Sequence, residues 1–206
     1  MELLVLAALA AFAAWRLKVQ DQGRRIALLG SHLGKYQIEK NMETLTQGYL
    51  RALGEDDPQR RAQVFGLLRA TEETLASQFS RFAADFARAA EAATRVSRLP
   101  VYLPFATVWL PAASFDLRQL LAVHARGIGE AAANQAGASG PDPDKARAFT
   151  LQAELLLMQH SCHWFCKSKL VASSRMLARH QTTHAQLVAS VAPATRAAYC
   201  ALVLPA

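Results

Sequence analysis

The chain has 206 residues and a formal net charge of +7, and 52% of it is hydrophobic. That length builds one domain, or one domain plus an anchor, with a core of its own, and it excludes a scaffold too small to fold without staples. The three cysteines, Cys162, Cys166 and Cys200, are odd in number and lack framework spacing, which argues against a disulfide scaffold and fits a reducing compartment.

Alanine and leucine dominate and β-branched residues are few, so the expectation is an all-α protein. Charge is distributed unevenly. Residues 15–53 carry seven basic and three acidic side chains, 54–99 carry seven of each, and no acidic residue follows Glu154. A one-sided basic surface calls for an anionic neighbour: lipid headgroups, nucleic acid or an acidic protein.

The first predicted element is apolar. Leu3–Trp15 is uncharged, and thirteen helical residues cover about 20 Å, short of a roughly 30 Å hydrocarbon core. Leu17, Val19 and the snorkelling Arg16 and Lys18 bring the stretch to a marginal span. Residues 1–20 are therefore read as an uncleaved signal-anchor, a single transmembrane pass. Arg16, Lys18, Arg24 and Arg25 just after it place the body in the cytoplasm, against a bacterial-type inner membrane. The alternatives are a buried globular helix and a signal peptide cleaved near Ala11–Ala14, which would release a periplasmic protein.

Residues 21–99 are expected to form a long antiparallel helical hairpin. Its first arm runs without proline to Leu53, with a stripe of Ile38, Met42, Leu45, Tyr49 and Ala52. The break at 54–58 ends with Asp57 as N-cap and Pro58 in the first helical position. The second arm runs to about Leu99, with a coiled-coil seam of Leu75, Phe79, Phe82, Phe86, Ala89, Ala93 and Val96, a surface that also suits an oligomer. Residues 100–114 form a loop with three prolines and the apolar Tyr102, Phe105, Val108 and Trp109, which either covers the end of the bundle or dips into a membrane interface.

Residues 115–206 complete a bundle of about four main helices. Ser114 is the expected cap of a third helix reaching about Gln135, and 136–144 reads as a flexible linker. A fourth helix is expected from Pro143 to about Val191, followed by a short apolar tail.

The fourth helix holds the residues with chemical potential. At 100° per residue, Leu151, Leu155, Met158, Cys162, Cys166, Lys169, Ser173, Leu177, His180, His184, Leu187 and Val191 share one stripe, with His160 and His163 flanking it. Cys162/Cys166 and His180/His184 have the i, i+4 spacing of chelating pairs. On a straight helix, however, Cys166 and His180 stand about 21 Å apart. One ion would need Cys162, His163 and Cys166 together. The stripe reads either as a packed seam of soft side chains, as a thiol pair, or as a transition-metal or haem site. The absence of acidic residues after Glu154 argues against a cysteine–histidine hydrolase.

The leading expectation is a membrane-anchored helical bundle without cofactor, acting as a scaffold or assembly component. Arg16, Lys18, Arg24, Arg25, Lys167, Arg175 and Arg179 would contact anionic lipid or an acidic protein, and nucleic acid is not expected because no recognition motif accompanies the charge. The alternative is a metal- or haem-binding redox protein using Cys162, His163, Cys166, His180 and His184.

Overall fold

The computed structural model describes residues 1–133 and 142–204. Most of the expected 136–144 linker, and the last two residues of the expected third helix, 134–135, lie outside the described residues. The described chain is all-α, with ten helices and one two-stranded ribbon.

Helix α1 spans Glu2–Leu33. Every residue from 1 to 20 is exposed, the first buried residue is Gln22, and the helix packs on the core through Leu28, Leu29 and Leu33. The predicted run to Leu53 is interrupted here. Gly34 closes α1 by donating its N–H to the Gly30 carbonyl. The turn is then pinned to the body, with the Tyr36 hydroxyl donating to Asp85 Oδ2 at 2.6 Å and the Gln37 N–H to Gln78 Oε1 at 2.7 Å. The redirection lets α2, Ile38–Leu53, present its own apolar stripe to α3, Pro58–Phe86.

The two helices run antiparallel, since Gln37 meets Gln78 while Tyr49 meets Phe65 and Glu72. Asp57 caps α3 as expected, accepting from the Gln59 N–H at 2.8 Å. Ile38, Leu45, Tyr49 and Ala52 on α2, and Leu75, Phe79, Phe82 and Phe86 on α3, are all buried. The chain's own helices thus cover this part of the seam.

The seam does not continue past Phe86. Residues 87–93 are mostly alanine, with too little apolar area to hold a helix against the body, and Ala90 turns extended. A short α4, Glu91–Thr94, leads into strand β1, Arg95–Ser97, which pairs antiparallel with β2, Ser114–Asp116. Val96 is buried, as the heptad pattern suggested, but from a strand opposite Phe115. The proline-studded segment between the strands holds α5, Ala106–Trp109, and a 3-10 turn at Pro111–Ala113. Far from being covered, it leaves Phe105, Val108 and Trp109 at 51%, 70% and 66% exposure.

Helix α6, Leu117–Ala132, is capped by Asp116 rather than Ser114: the Asp116 carboxylate accepts from the Arg118 N–H and the Thr94 hydroxyl. Ser114 belongs to β2, where its hydroxyl donates to the Pro111 carbonyl. Helix α7, Pro143–Cys166, is the central rod. It packs against α1, α2, α6, α8 and α9, and buries six consecutive residues from Ala153 to Met158.

The expected helix to Val191 breaks at Lys167–Ser168. Ser168 caps α8, Lys169–His180, by accepting from the Val171 N–H, and the Leu170 N–H is anchored on the Pro100 carbonyl. Gln181, left-handed at φ 52°, ends α8. A Thr183/Gln186 capping box starts α9, His184–Ser190, and α10, Pro193–Val203, packs on α6. The two breaks fold α8 and α9 back over α7, placing in the core a face that a straight helix would leave outside.

Candidate functional site

That folding back assembles a histidine-centred polar core. His160 of α7, expected to flank the stripe, is fully buried and stacks on His184 of α9 with ring centroids 4.4 Å apart. His160 Nε2 shares a hydrogen bond with Ser173 Oγ at 3.0 Å, and His184 Nε2 with the Tyr199 hydroxyl at 2.9 Å. From α6, His124 Nε2 meets Ser161 Oγ at 2.9 Å, and the Ser161 hydroxyl donates to the Leu157 carbonyl. Burial pushes His124 and His160 down to about 3 and His184 to about 4, so all three rings are neutral near pH 7. The same burial raises the Tyr199 hydroxyl.

Glu154 closes the polar core at its other end. It is fully buried, accepts from the Ala192 N–H at 3.1 Å, and is raised to about 7 by burial, against which Thr195 and that N–H work. Gly127 makes room for it, since a Cβ there would run into Thr195 and come within 2.6 Å of Glu154 Oε2. A second buried polar cluster joins α2, α3 and α7. Arg147 Nε lies 3.2 Å from Glu72 Oε2, and the Tyr49 hydroxyl donates to Glu72 Oε1 at 2.7 Å.

The candidate ligands do not converge. Cys162 and Cys166 are partly covered on α7, free, and packed against the core; the Cys162 thiol contacts Met158 Sδ at 3.9 Å and is pushed up to about 12 by burial. Burial also raises Cys166. His163 lies on another side of α7 and is lowered by burial, by Arg175 and Arg179, and by His180, the last residue of α8. The nearly parallel rings of His160 and His184 aim their Nε2 atoms at separate partners, Ser173 and Tyr199. Among the described residues, no three histidine, cysteine, aspartate or glutamate side chains are grouped to hold a metal ion.

The cations divide into three places. Arg16 and Lys18 sit on the projecting part of α1, and Arg175 and Arg179 lie exposed on α8. Arg24, Arg25 and Lys167 line one cleft of about 240 Å³, between residues 17–25 of α1, the 99–108 segment and the end of α7. Arg25 pairs with Asp21 at 2.8 Å and lies over the Phe165 ring at 5.3 Å, while Lys167 Nζ donates to Gln22 Oε1 at 3.1 Å. The Tyr102 hydroxyl on the opposite wall is pushed up to about 12, by burial and then by the Asp21 carboxylate. A smaller, apolar cavity of about 170 Å³ lies between α2 and α7. Neither cavity is lined by a histidine or a cysteine, so the polar core offers substrate no entrance through them.

The sequence reading missed Glu154, His124, Ser161 and Tyr199. Glu154 carried a signal, as a lone carboxylate ahead of "LLLM" in an otherwise apolar run. No family model, curated protein or solved structure matches the chain.

Proposed function

We propose that the protein is a membrane-attached helical bundle, held at the inner, cytoplasmic face by the apolar first part of α1, and that its body serves as a scaffold or interaction component there. The observation that carries this reading is the projecting helix. Leu3, Leu4, Val5, Leu6, Leu9, Phe12 and Trp15 are each more than half exposed on a helix whose first twenty residues are all exposed. Covering a side chain of this size gains roughly 1.5–3 kcal/mol, so seven of them on one rod strongly favour an apolar phase.

No helix among the described residues is long and apolar enough to cross a membrane. Attachment is therefore proposed through insertion of α1, assisted by the exposed Phe105, Val108 and Trp109 near its base, in the manner of interfacial aromatic anchors. Arg16, Lys18, Arg24 and Arg25 support an anionic leaflet on the body's side.

Vesicle flotation tests the reading. The wild-type chain should float with phosphatidylcholine vesicles containing phosphatidylglycerol, and L6D/L9D/F12D should remain in the soluble fraction with unchanged helicity, because these side chains do not contact the body. A wild-type chain that stays unbound, or a triple variant that binds equally well, would refute attachment through α1. In cells, protease protection should leave the body accessible from the cytoplasmic side only.

A further inference from the structure

We propose that the cleft between α1, the 99–108 segment and the end of α7 seats the phosphate-bearing head group of an anionic phospholipid. The inference rests on membrane attachment and adds what is recognised there. Three features carry it.

The first is charge. The charged residues of the lining are Arg24, Arg25, Lys167 and Asp21, and the one carboxylate is committed to Arg25 at 2.8 Å. Lys167 is held in place through Gln22, while Arg24 is left exposed at the rim. A net positive recess with a fixed ammonium and a forked guanidinium matches a phosphate monoanion or diester.

The second is size. At about 240 Å³ the cleft is below the roughly 300–1,000 Å³ of pockets that enclose a whole drug-sized ligand, so it accommodates a head group and leaves acyl chains outside.

The third is what surrounds the opening. Leu17 at 39%, Leu103 at 44%, Phe105 at 51% and Val108 at 70% exposure line the same cleft, giving the emerging chains an apolar path. Leu17 directly precedes Lys18 and lies two turns before Arg24 on α1, so this path continues directly into the exposed apolar helix. A soluble phosphate metabolite has no use for that apolar rim; a lipid needs both halves.

The test compares flotation on phosphatidylcholine vesicles with and without phosphatidylglycerol, for the wild type, R24Q/K167Q, R24K/K167R and R175Q/R179Q. The wild type should prefer the anionic vesicles. R24Q/K167Q should lose roughly 30-fold in partitioning to them, the scale expected for two basic contacts, while binding neutral vesicles as before. R24K/K167R should retain most of the preference, and R175Q/R179Q, which removes the same charge away from the cleft, should lose less than about threefold. All variants should melt with the wild type; if R24Q/K167Q does not, the charge-retaining variant against R175Q/R179Q decides.

Equal losses in R24Q/K167Q and R175Q/R179Q would show diffuse attraction and overturn the cleft, as would a wild type indifferent to phosphatidylglycerol. Protection of the wild type against heating by glycerol phosphate as strong as by the vesicles would also overturn it, in favour of a free phosphate ligand. Failure to float with any vesicle would instead refute attachment itself, a distinct outcome from loss of anionic preference alone.

Discussion

Acidification should unfold this protein at a pH where most helical bundles remain stable, and the buried histidines set the size of the effect. In the unfolded chain His124, His160 and His184 titrate near the ordinary value of 6.5, whereas folded they titrate near 3, 3 and 4. A group whose folded pKa is depressed contributes stability that is fully present above the unfolded value and is lost as pH falls through the window between the two. Each histidine therefore costs about 1.4 kcal/mol per pH unit below about 6.5, roughly 2 kcal/mol at pH 5, or about 6 for the three.

Glu154 works in the opposite direction. Its folded pKa of about 7 lies above the ordinary 4.5, so the native state takes up a proton first and gains as pH falls through that window. Between pH 7.5 and 5 this returns roughly 2 kcal/mol, leaving a net loss of about 4. Asp85, held down by the Tyr36 hydroxyl, begins to matter only below the ordinary carboxylate range.

Urea unfolding followed by far-ultraviolet circular dichroism, in nonionic detergent at pH 7.5 and 5, measures the difference. A loss of that order is expected in the wild type. E154Q removes the opposing contribution while keeping volume, so its loss should be steeper by roughly 2 kcal/mol. Equal stability at the two pH values would refute neutral burial of the histidines. An E154Q variant that tracks the wild type would refute the raised Glu154.

Two further outcomes test the remaining buried chemistry. Breaking the Glu72–Arg147 pair, which is 0% and 3% exposed, by E72A should cost about 1–3 kcal/mol, because the Tyr49 hydroxyl and Arg147 Nε lose their acceptor while Asp144 still holds Arg147 at 2.6 Å, and D144A/E72A should cost clearly more; equal thermal melts for the single and double variants would refute this. With its thiol pushed to about 12, Cys162 should resist iodoacetamide in the folded chain at pH 8 and react on unfolding, as peptide mass mapping would show; rapid native labelling would contradict its covered position. C162S/C166S should cost only about 1 kcal/mol per site.

Much of the architecture was legible where amphipathic stripes were strong. The α2 stripe, the α3 seam up to Phe86 and the Asp57–Pro58 cap follow from spacing and capping chemistry alone, because burial there depends on local periodicity. Two kinds of feature were not legible. Strand β1 owes its existence to a distant partner, Arg95, Val96 and Ser97 pairing with Asp116, Phe115 and Ser114 in a ladder that no local window contains. The polar core depends on helices folding over one another, so His160 on α7 could not be known to meet His184 and Ser173. The exposed apolar segment at 1–20 and the basic residues were readable as composition, but only the fold separates the cleft cations Arg24, Arg25 and Lys167 from Arg175 and Arg179.

The break at Lys167–Ser168 is the local event on which that core depends, and it rests on identifiable groups. Lys167 leaves helical geometry at φ −132° and ψ −85°, and Ser168 turns extended and caps α8. The Leu170 N–H, another donor a new helix start leaves without an intrahelical partner, finds the Pro100 carbonyl at 2.9 Å. Of these contacts only the serine cap belongs to a side chain. S168A should therefore cost about 1 kcal/mol in urea unfolding while leaving the fold intact, since the Pro100 contact still anchors the first turn of α8. S168D should recover most of that loss, as aspartate caps equally well and favours a helix start. If S168A proves neutral, the break is imposed by packing of α8 and α9 on α7 rather than by its cap, and Ala172 and Met176, both buried, become the residues that hold it.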